Sequence, residues 1–171
     1  MQKDPLLDIL GHLAENMSGA TNAEEVLAAL LEGARGLLPF TAGALALRTP
    51  AEWRVWRATA ARPARVSYND NVPAAAAETL DRFLEHGQLL RVNDLLAPPW
   101  SQANHRDVLW KDGTRSALLV PLRTGGATVG TLSFTSAHPD QYPSNKDPIA
   151  TFLGWMVACT LRALPQSEGA L

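Results

Sequence analysis

The sequence predicts an α+β domain in which a central antiparallel sheet of five to six strands carries helices on both faces. Two apolar runs between Gly113 and Ser136, Ala117–Leu122 and Thr128–Phe134, flank the tetrapeptide Thr124-Gly125-Gly126-Ala127. A glycine pair supplies the positive φ angles that a tight hairpin requires, so the runs are expected to be adjacent antiparallel strands. Helical periodicity precedes, interrupts and follows the strand-like segments. The 171 residues are 46% hydrophobic and 19% charged, the balance of one globular domain with an interior of useful size.

In chain order, Asp4 caps a first helix with Pro5 at its first position, and Leu6, Ile9, Leu10, Leu13 and Met17 make one apolar stripe. Thr21-Asn22-Ala23-Glu24 is a capping box for a second helix, whose apolar face from Val26 to Leu38 stops at Pro39. Strands are expected over Thr41–Leu47 and Trp53–Ala60, joined by a turn at Thr49-Pro50. The stretch Arg62–Val72, with Pro63 and the polar cluster Ser67 to Asn71, reads as loop. Pro73 begins a third helix that turns Ala76, Leu80, Phe83 and Leu84 inward and ends at Gly87. Gln88–Leu95 is a short extended segment. After the breaker Ala97-Pro98-Pro99-Trp100-Ser101, a weakly specified helix capped by Ser101 is expected to run to Lys111 as a mobile lid. The last helix is capped by Ser144 or Asp147, with Pro148 in its first turn.

That last helix is apolar around its whole circumference. Between Asp147 and Arg162 only Thr151 and Thr160 carry polar side chains. Such a helix must be covered on more than one side. One side suits the sheet, and Cys159 is expected to be buried there as a core residue. The other side calls for the N-terminal helix or a second subunit. A homodimer through the first and last helices is the preferred reading, with burial inside one chain as the alternative.

A net charge of −2 gives no general attraction to nucleic acid or to anionic membranes. Arg48, Arg54, Arg57, Arg62 and Arg65 do gather around Trp53 and Trp56, a composition that can bind single strands. With no basic surplus elsewhere, a soluble sheet edge is the better reading. One cysteine cannot form an internal disulfide, the N-terminus MQKDPLLDILGHLAEN lacks the apolar run of a secretory signal, and no segment is long and apolar enough to span a bilayer. A cytoplasmic location follows as the expectation.

The order helix–helix, two strands, helix, short strand, lid, two strands, helix resembles the GAF domain, a small-molecule sensing module. His86 to Asp94 resembles that family's helix end, glycine, strand and Asp; Gly113 to Leu122 resembles its central strand entry. Gly130-Thr131-Leu132-Ser133-Phe134, followed by Tyr142 and the terminal helix, resembles its closing section. The likeness runs from about Thr21 to Leu164. It implies a profilin-like three-layer fold over residues 21–164, preceded by a dimerisation helix in 1–20 and followed by a tail in 165–171. It also implies a ligand pocket beneath the third helix and the lid, and opposite it helices that dimerise and pass ligand state to an output protein. The chain either stands alone and acts in trans or is an excised sensor.

Relatives that reduce free methionine sulfoxide use several cysteines, and the exchange needs both an attacking thiolate and a resolving thiol. Cys159 has no such partner and lies on the wrong helix for covalent bilin attachment. Noncovalent haem or bilin, with His105 as a contact, is a lesser alternative. Cyclic-nucleotide-binding relatives carry an Asn-Lys pair, a Phe and an Asp-Glu pair; the aligned region here holds Thr135-Ser136, Tyr142 and Lys146-Asp147, so that motif is not supported. His12, His86, His105 and His138 lack metal-ligand spacing, no Ser–His–Asp set is present, and Gly125-Gly126 leads into a strand instead of a phosphate-binding helix.

Recognition remains. Trp100 and Trp110 flank the lid, and His105, Asp107 and Arg115 place polar groups near it. Arg115 is expected either to take an acidic ligand group in a forked contact or to bridge to Asp112 or Asp94. The tryptophans either stack on ligand or fill the core beneath the lid. The chain is thus read as a non-enzymatic sensory domain that binds an unidentified small molecule without a specified cofactor. Its ligand orders the lid, shifts Arg115 and the central strands, and repacks the terminal helices of a homodimer. A ligand-free dimerisation scaffold is the alternative.

Overall fold

The computed structural model describes residues 4–60, 64–100 and 113–164. Among these residues the chain forms α1 (Pro5–Ser18), α2 (Ala23–Ala34), β1 (Ala42–Arg48), β2 (Trp53–Thr59), β3 (Val66–Asn69), α3 (Ala74–His86), β4 (Leu90–Val92), β5 (Ser116–Thr124), β6 (Ala127–Ser136) and α4 (Asp147–Ala163). The strands make one six-stranded antiparallel sheet in the order β3-β2-β1-β6-β5-β4. The β5–β6 hairpin pairs Leu118 with Phe134 and Val120 with Leu132. Gly125 at φ 57° and Gly126 at φ 88° turn it, both in the left-handed region that glycine tolerates.

Local chemistry sets the helix ends. The Asp4 carboxylate accepts the Leu6 N–H at 3.0 Å, with Pro5 at the first helical position. The second capping box sits one residue later than the sequence suggests. Asn22 Oδ1 accepts the Glu25 N–H at 2.9 Å, and Glu25 Oε2 accepts the Thr21 N–H at 2.7 Å. Donation from the Thr21 N–H and the Thr21 hydroxyl holds the Glu25 carboxyl below its ordinary value. Gly87, at φ 59°, closes α3 by donating its N–H to the Phe83 carbonyl at 3.0 Å.

Three expectations are corrected here. Residues expected to form a loop contain strand β3, which pairs Asn69 with Val55 and Ser67 with Arg57. An edge strand with three exposed residues of four carries no alternation of apolar and polar residues to betray it. Neither Ser144 nor Asp147 caps α4: Ser144–Lys146 is a 3-10 turn, no side chain bonds the helix start, and the Asp147 carboxylate accepts from Arg91 instead. Cys159 is exposed, not a core residue. It lies on the outward side of α4 with Phe152, 39% exposed, and Trp155, 60% exposed. The expected lid helix, 101–111, lies outside the described residues.

Helices α2 and α4 cover one face of the sheet, and α3 covers the other. The larger core lies on the first face, where Leu45, Leu118, Leu122, Leu132 and Phe134 meet Leu30, Leu31, Leu153 and Val157, all buried. The layers approach closely. A Cβ on Gly154 would stand 2.6 Å from Val120 Cγ1, so only glycine lets α4 lie this near β5. Helix α1 packs mainly on α2, where a Cβ on Gly33 would come within 2.5 Å of Leu13. The outward stripe of α4 is therefore left uncovered among the described residues. No helix among them is long and apolar enough to cross a membrane.

Candidate functional site

Side chains alternate across a strand, so β1 and β6 present different residues to the two faces. Toward α2 and α4 point Leu45, Leu47, Leu132 and Phe134. Toward α3 point Ala44, Ala46, Thr131 and Ser133, which the register places side by side as Ala44↔Ser133 and Ala46↔Thr131. Ala46 packs on Leu80 of α3, but the short side chains of Ala44, Thr131 and Ser133 beside it leave space below the helix. A cavity of about 630 Å³ results, within the size range typical of small-molecule sites. Its floor offers hydroxyl groups from Thr131, Ser133 and Thr135, and its roof offers the apolar surface of Val72, Pro73, Ala76 and Leu80.

The roof helix is tied down over its C-terminal half. Asp81 of α3 accepts from Arg48 Nε at 3.0 Å and from Trp53 Nε1 at 3.0 Å, tying the helix to β1 and β2. At the far end the Gly87 carbonyl accepts from Arg123 Nη2 of β5 at 2.6 Å. Small apolar clusters on either side, Leu80 with Ala46, Trp53 and Val55, and Phe83 with Val92, Ala117 and Leu119, hold α3 as a lintel above the floor.

At the β2–β3 end the cavity wall contains Arg57 and Arg65, with Ser67 and Asn69 from β3. Burial lowers the Arg57 guanidinium from its ordinary value, although an arginine remains charged at any physiological pH. The expected arginine–tryptophan cluster thus divides by role. Arg48 pairs with Asp81 and Arg54 with Glu52, Arg57 and Arg65 face the cavity, and Arg62 lies outside the described residues. Trp53 is buried at 2% exposure and Trp56 packs on Tyr68 with ring centroids 5.2 Å apart.

Of the five ligand contacts expected from sequence, Trp100 and Arg115 are described and neither lines the cavity. Trp100 packs against the Phe83 cluster, which shares Leu119 with the cavity wall. Arg115 makes the bridge to Asp94 that was the alternative to a ligand contact: Nε donates to Asp94 Oδ1 at 2.9 Å and Nη2 to Oδ2 at 2.7 Å. With the Leu96 N–H also donating to it, the Asp94 carboxyl is lowered to about 2. His105, Asp107 and Trp110 lie outside the described residues. The residues that sequence reasoning missed, Ala44, Arg57, Thr131 and Ser133, were signalled by alternating small and large side chains in Gly43-Ala44-Leu45-Ala46-Leu47 and Thr131-Leu132-Ser133-Phe134.

Comparison with known proteins agrees with this architecture. The family model described as GAF domain matches residues 22–152. Among solved structures, the GAF domain of an Acinetobacter phosphoenolpyruvate-protein phosphotransferase is 9% identical, with TM-score 0.67 and coverage of 93% of each chain. The free methionine-R-sulfoxide reductase from Neisseria meningitidis, solved with its substrate, is 15% identical at TM-score 0.62, covering 94% of this chain and 92% of that one. A bacteriophytochrome from the photosynthetic bacterium R. palustris is 10% identical at TM-score 0.62, covering 98% of this chain and 39% of that one. Identities this low speak for the fold alone. No curated protein matches the chain.

Proposed function

The chain belongs to the GAF domain family, and from that premise we propose that it is a non-enzymatic sensory domain that binds a small molecule in the cavity beneath α3. The cavity carries the reading. It has an apolar roof, a hydroxyl floor and a cationic end, the combination by which small-molecule sites gain affinity and orientation. Its floor strands are also the strands on which α2 and α4 pack. A ligand that favours one strand arrangement therefore favours one packing of those helices, and it shifts the equilibrium only by its differential affinity.

The output side is a homodimer through α1 and α4, placed in the cytoplasm and coupled to a signalling partner. Leu6 and Leu7 on α1 and Phe152 and Trp155 on α4 are exposed apolar side chains that a second copy would cover. Cys159 lies on α4, with the whole sheet between it and the cavity. Thiol exchange at a cavity-bound substrate would need a thiolate there and a resolving thiol, which supports recognition over catalysis.

Two measurements test this. In an amide-resolved NMR titration with a metabolite collection, at least one compound is expected to move Ala44, Ala46, Thr131 and Ser133 signals together with those of α4. Sedimentation is expected to give a dimer that Trp155→Glu dissociates and Cys159→Ala leaves intact. Unmoved floor signals across the collection, with a monomer in sedimentation, would contradict the proposal.

A further inference from the structure

The buried polar residues of the described chain are Ser116, Thr131, Ser133 and Ser136, and they divide into two pairs. Ser116 Oγ donates to the His138 carbonyl at 2.7 Å, and Ser136 Oγ accepts the His138 N–H at 3.1 Å. Thr131, 3% exposed, and Ser133, 8% exposed, have no hydrogen-bond partner for their hydroxyls among the described residues, and both side chains line the cavity. Other polar groups of its wall are engaged. Thr135 Oγ1 donates to the Ala42 carbonyl at 3.2 Å, Ser67 Oγ donates to the Arg57 carbonyl at 3.4 Å, and Asn69 Oδ1 accepts the Asn71 N–H at 2.9 Å. We propose that Thr131 and Ser133 are the groups that read the ligand. It is a small organic molecule with two hydrogen-bond acceptors on one edge, which accept from these hydroxyls, and an apolar body that lies beneath Val72 and Ala76.

The physical ground is the cost of an unmade hydrogen bond. A buried hydroxyl left without a partner keeps its desolvation penalty, and an orphaned donor is rarer in folded proteins than an under-satisfied acceptor. The two hydroxyls therefore call for acceptors. They stand two residues apart on one face of β6, about 6.7 Å at the usual rise of a strand, whereas an O–H···O contact spans about 2.8 Å. Two separate acceptor atoms match that spacing better than one shared atom. Across the register Ala44 lies beside Ser133 and Ala46 beside Thr131, so hydroxyls occupy one half of the floor and methyls the other. That division orients an amphipathic molecule. The inference deepens the cavity reading and rests on it, so its test must separate the two.

Phthalimide and indane serve as probes, because both are fused bicycles of similar size and only phthalimide carries two carbonyl oxygens on one edge. Binding to the full chain is followed by amide-resolved NMR titration, with Ala44→Leu as the variant that fills the cavity. Thr131→Val with Ser133→Ala removes both hydroxyls and is expected to weaken phthalimide at least about tenfold, the product of two neutral hydrogen bonds, without weakening indane. Thr131→Ser, which keeps a hydroxyl, should hold phthalimide within about twofold of wild type. Ala44→Leu should abolish the floor shifts. Should the double variant lose its dispersed spectrum, Ser133→Ala alone carries the test and must weaken phthalimide about threefold or more with indane unchanged. Floor shifts in the wild type with phthalimide affinity that survives loss of the hydroxyls overturn the acceptor inference and leave the cavity reading standing. So does an equal loss for both probes. Silence toward both probes overturns the two readings together, as do shifts that survive Ala44→Leu.

Discussion

On β1 and β6 the odd and even positions lead to different ends. Leu45, Leu47, Leu132 and Phe134 enter a packed core against α2 and α4, whereas Ala44, Ala46, Thr131 and Ser133 leave a cavity of about 630 Å³ below α3. Both faces belong to the same strands and the same backbone hydrogen bonds, so only side-chain size separates them. Where side chains interdigitate, the sheet is held and α2 and α4 are bound to it. Where they stop short, room is left below α3, whose C-terminal half is tied to the sheet through Asp81 and, at Gly87, through Arg123. The packed core and the cavity thereby fall on opposite sides of one sheet.

The largest expected contrast comes from truncation at adjacent residues of β6. Leu132→Ala removes a fully buried side chain and should cost about 3 kcal/mol in chemical denaturation, as in other cores. Ser133→Ala, one residue on, should cost less than about 1 kcal/mol because no packed neighbour is lost. Comparable losses at the two positions would break the distinction between the faces.

Enlargement gives the next contrast. A Cβ on Gly130 would stand 2.3 Å from the Ala46 carbonyl oxygen, so Gly130→Ala should cost about 2 kcal/mol. Ala44→Leu adds three carbons on the other face and should change stability by less than about 1 kcal/mol, because they extend into the cavity. A smaller effect sharpens the picture of the packed face. Tyr142 is 2% exposed, burial pushes its ionisation upward, and its hydroxyl finds no partner among the described residues. Tyr142→Phe should stabilise the fold by about 1 kcal/mol, read as a raised denaturation midpoint. A loss would mean that the hydroxyl is satisfied.

The smallest effect at neutral pH concerns Asp94. Its carboxyl is depressed in the folded chain to about 2 from an unfolded value of 3.8, so its contribution is complete above 3.8 and is lost as the pH falls toward 2. The gap in Tm between wild type and Asp94→Asn should close over that window and stay constant from there to neutrality. Ligand affinity should not change, because Arg115 and Asp94 stand outside the cavity. Altered affinity would return Arg115 to the site.

Much of the fold was legible because its signals are local. The Gly125-Gly126 turn, Gly87 at the end of α3, and Asp4 with Pro5 each act within a few residues. Strand β3 was not legible, since an exposed edge needs no apolar pattern and is specified by β2 beside it. Cys159 was misplaced because a helix apolar all round has no phase to say which side meets the sheet. The site was hidden for a third reason. Small residues at alternate positions mean little on one strand, and they form a floor only when β1 and β6, distant in sequence, pair Ala44 with Ser133. Arg57 likewise reaches the cavity wall only through the strand parity that puts it on the α3 side.

The division of labour between the faces is tested most directly by native mass spectrometry, with an absorbance scan, of wild type and Ala44→Leu purified from the protein's own source. We expect the wild type to retain a small organic mass and Ala44→Leu, folded and equally stable, to lose it. A wild type free of any such mass that also shows no thermal shift across a metabolite collection, or a mass retained equally by both, would contradict a recognition site between α3 and the sheet.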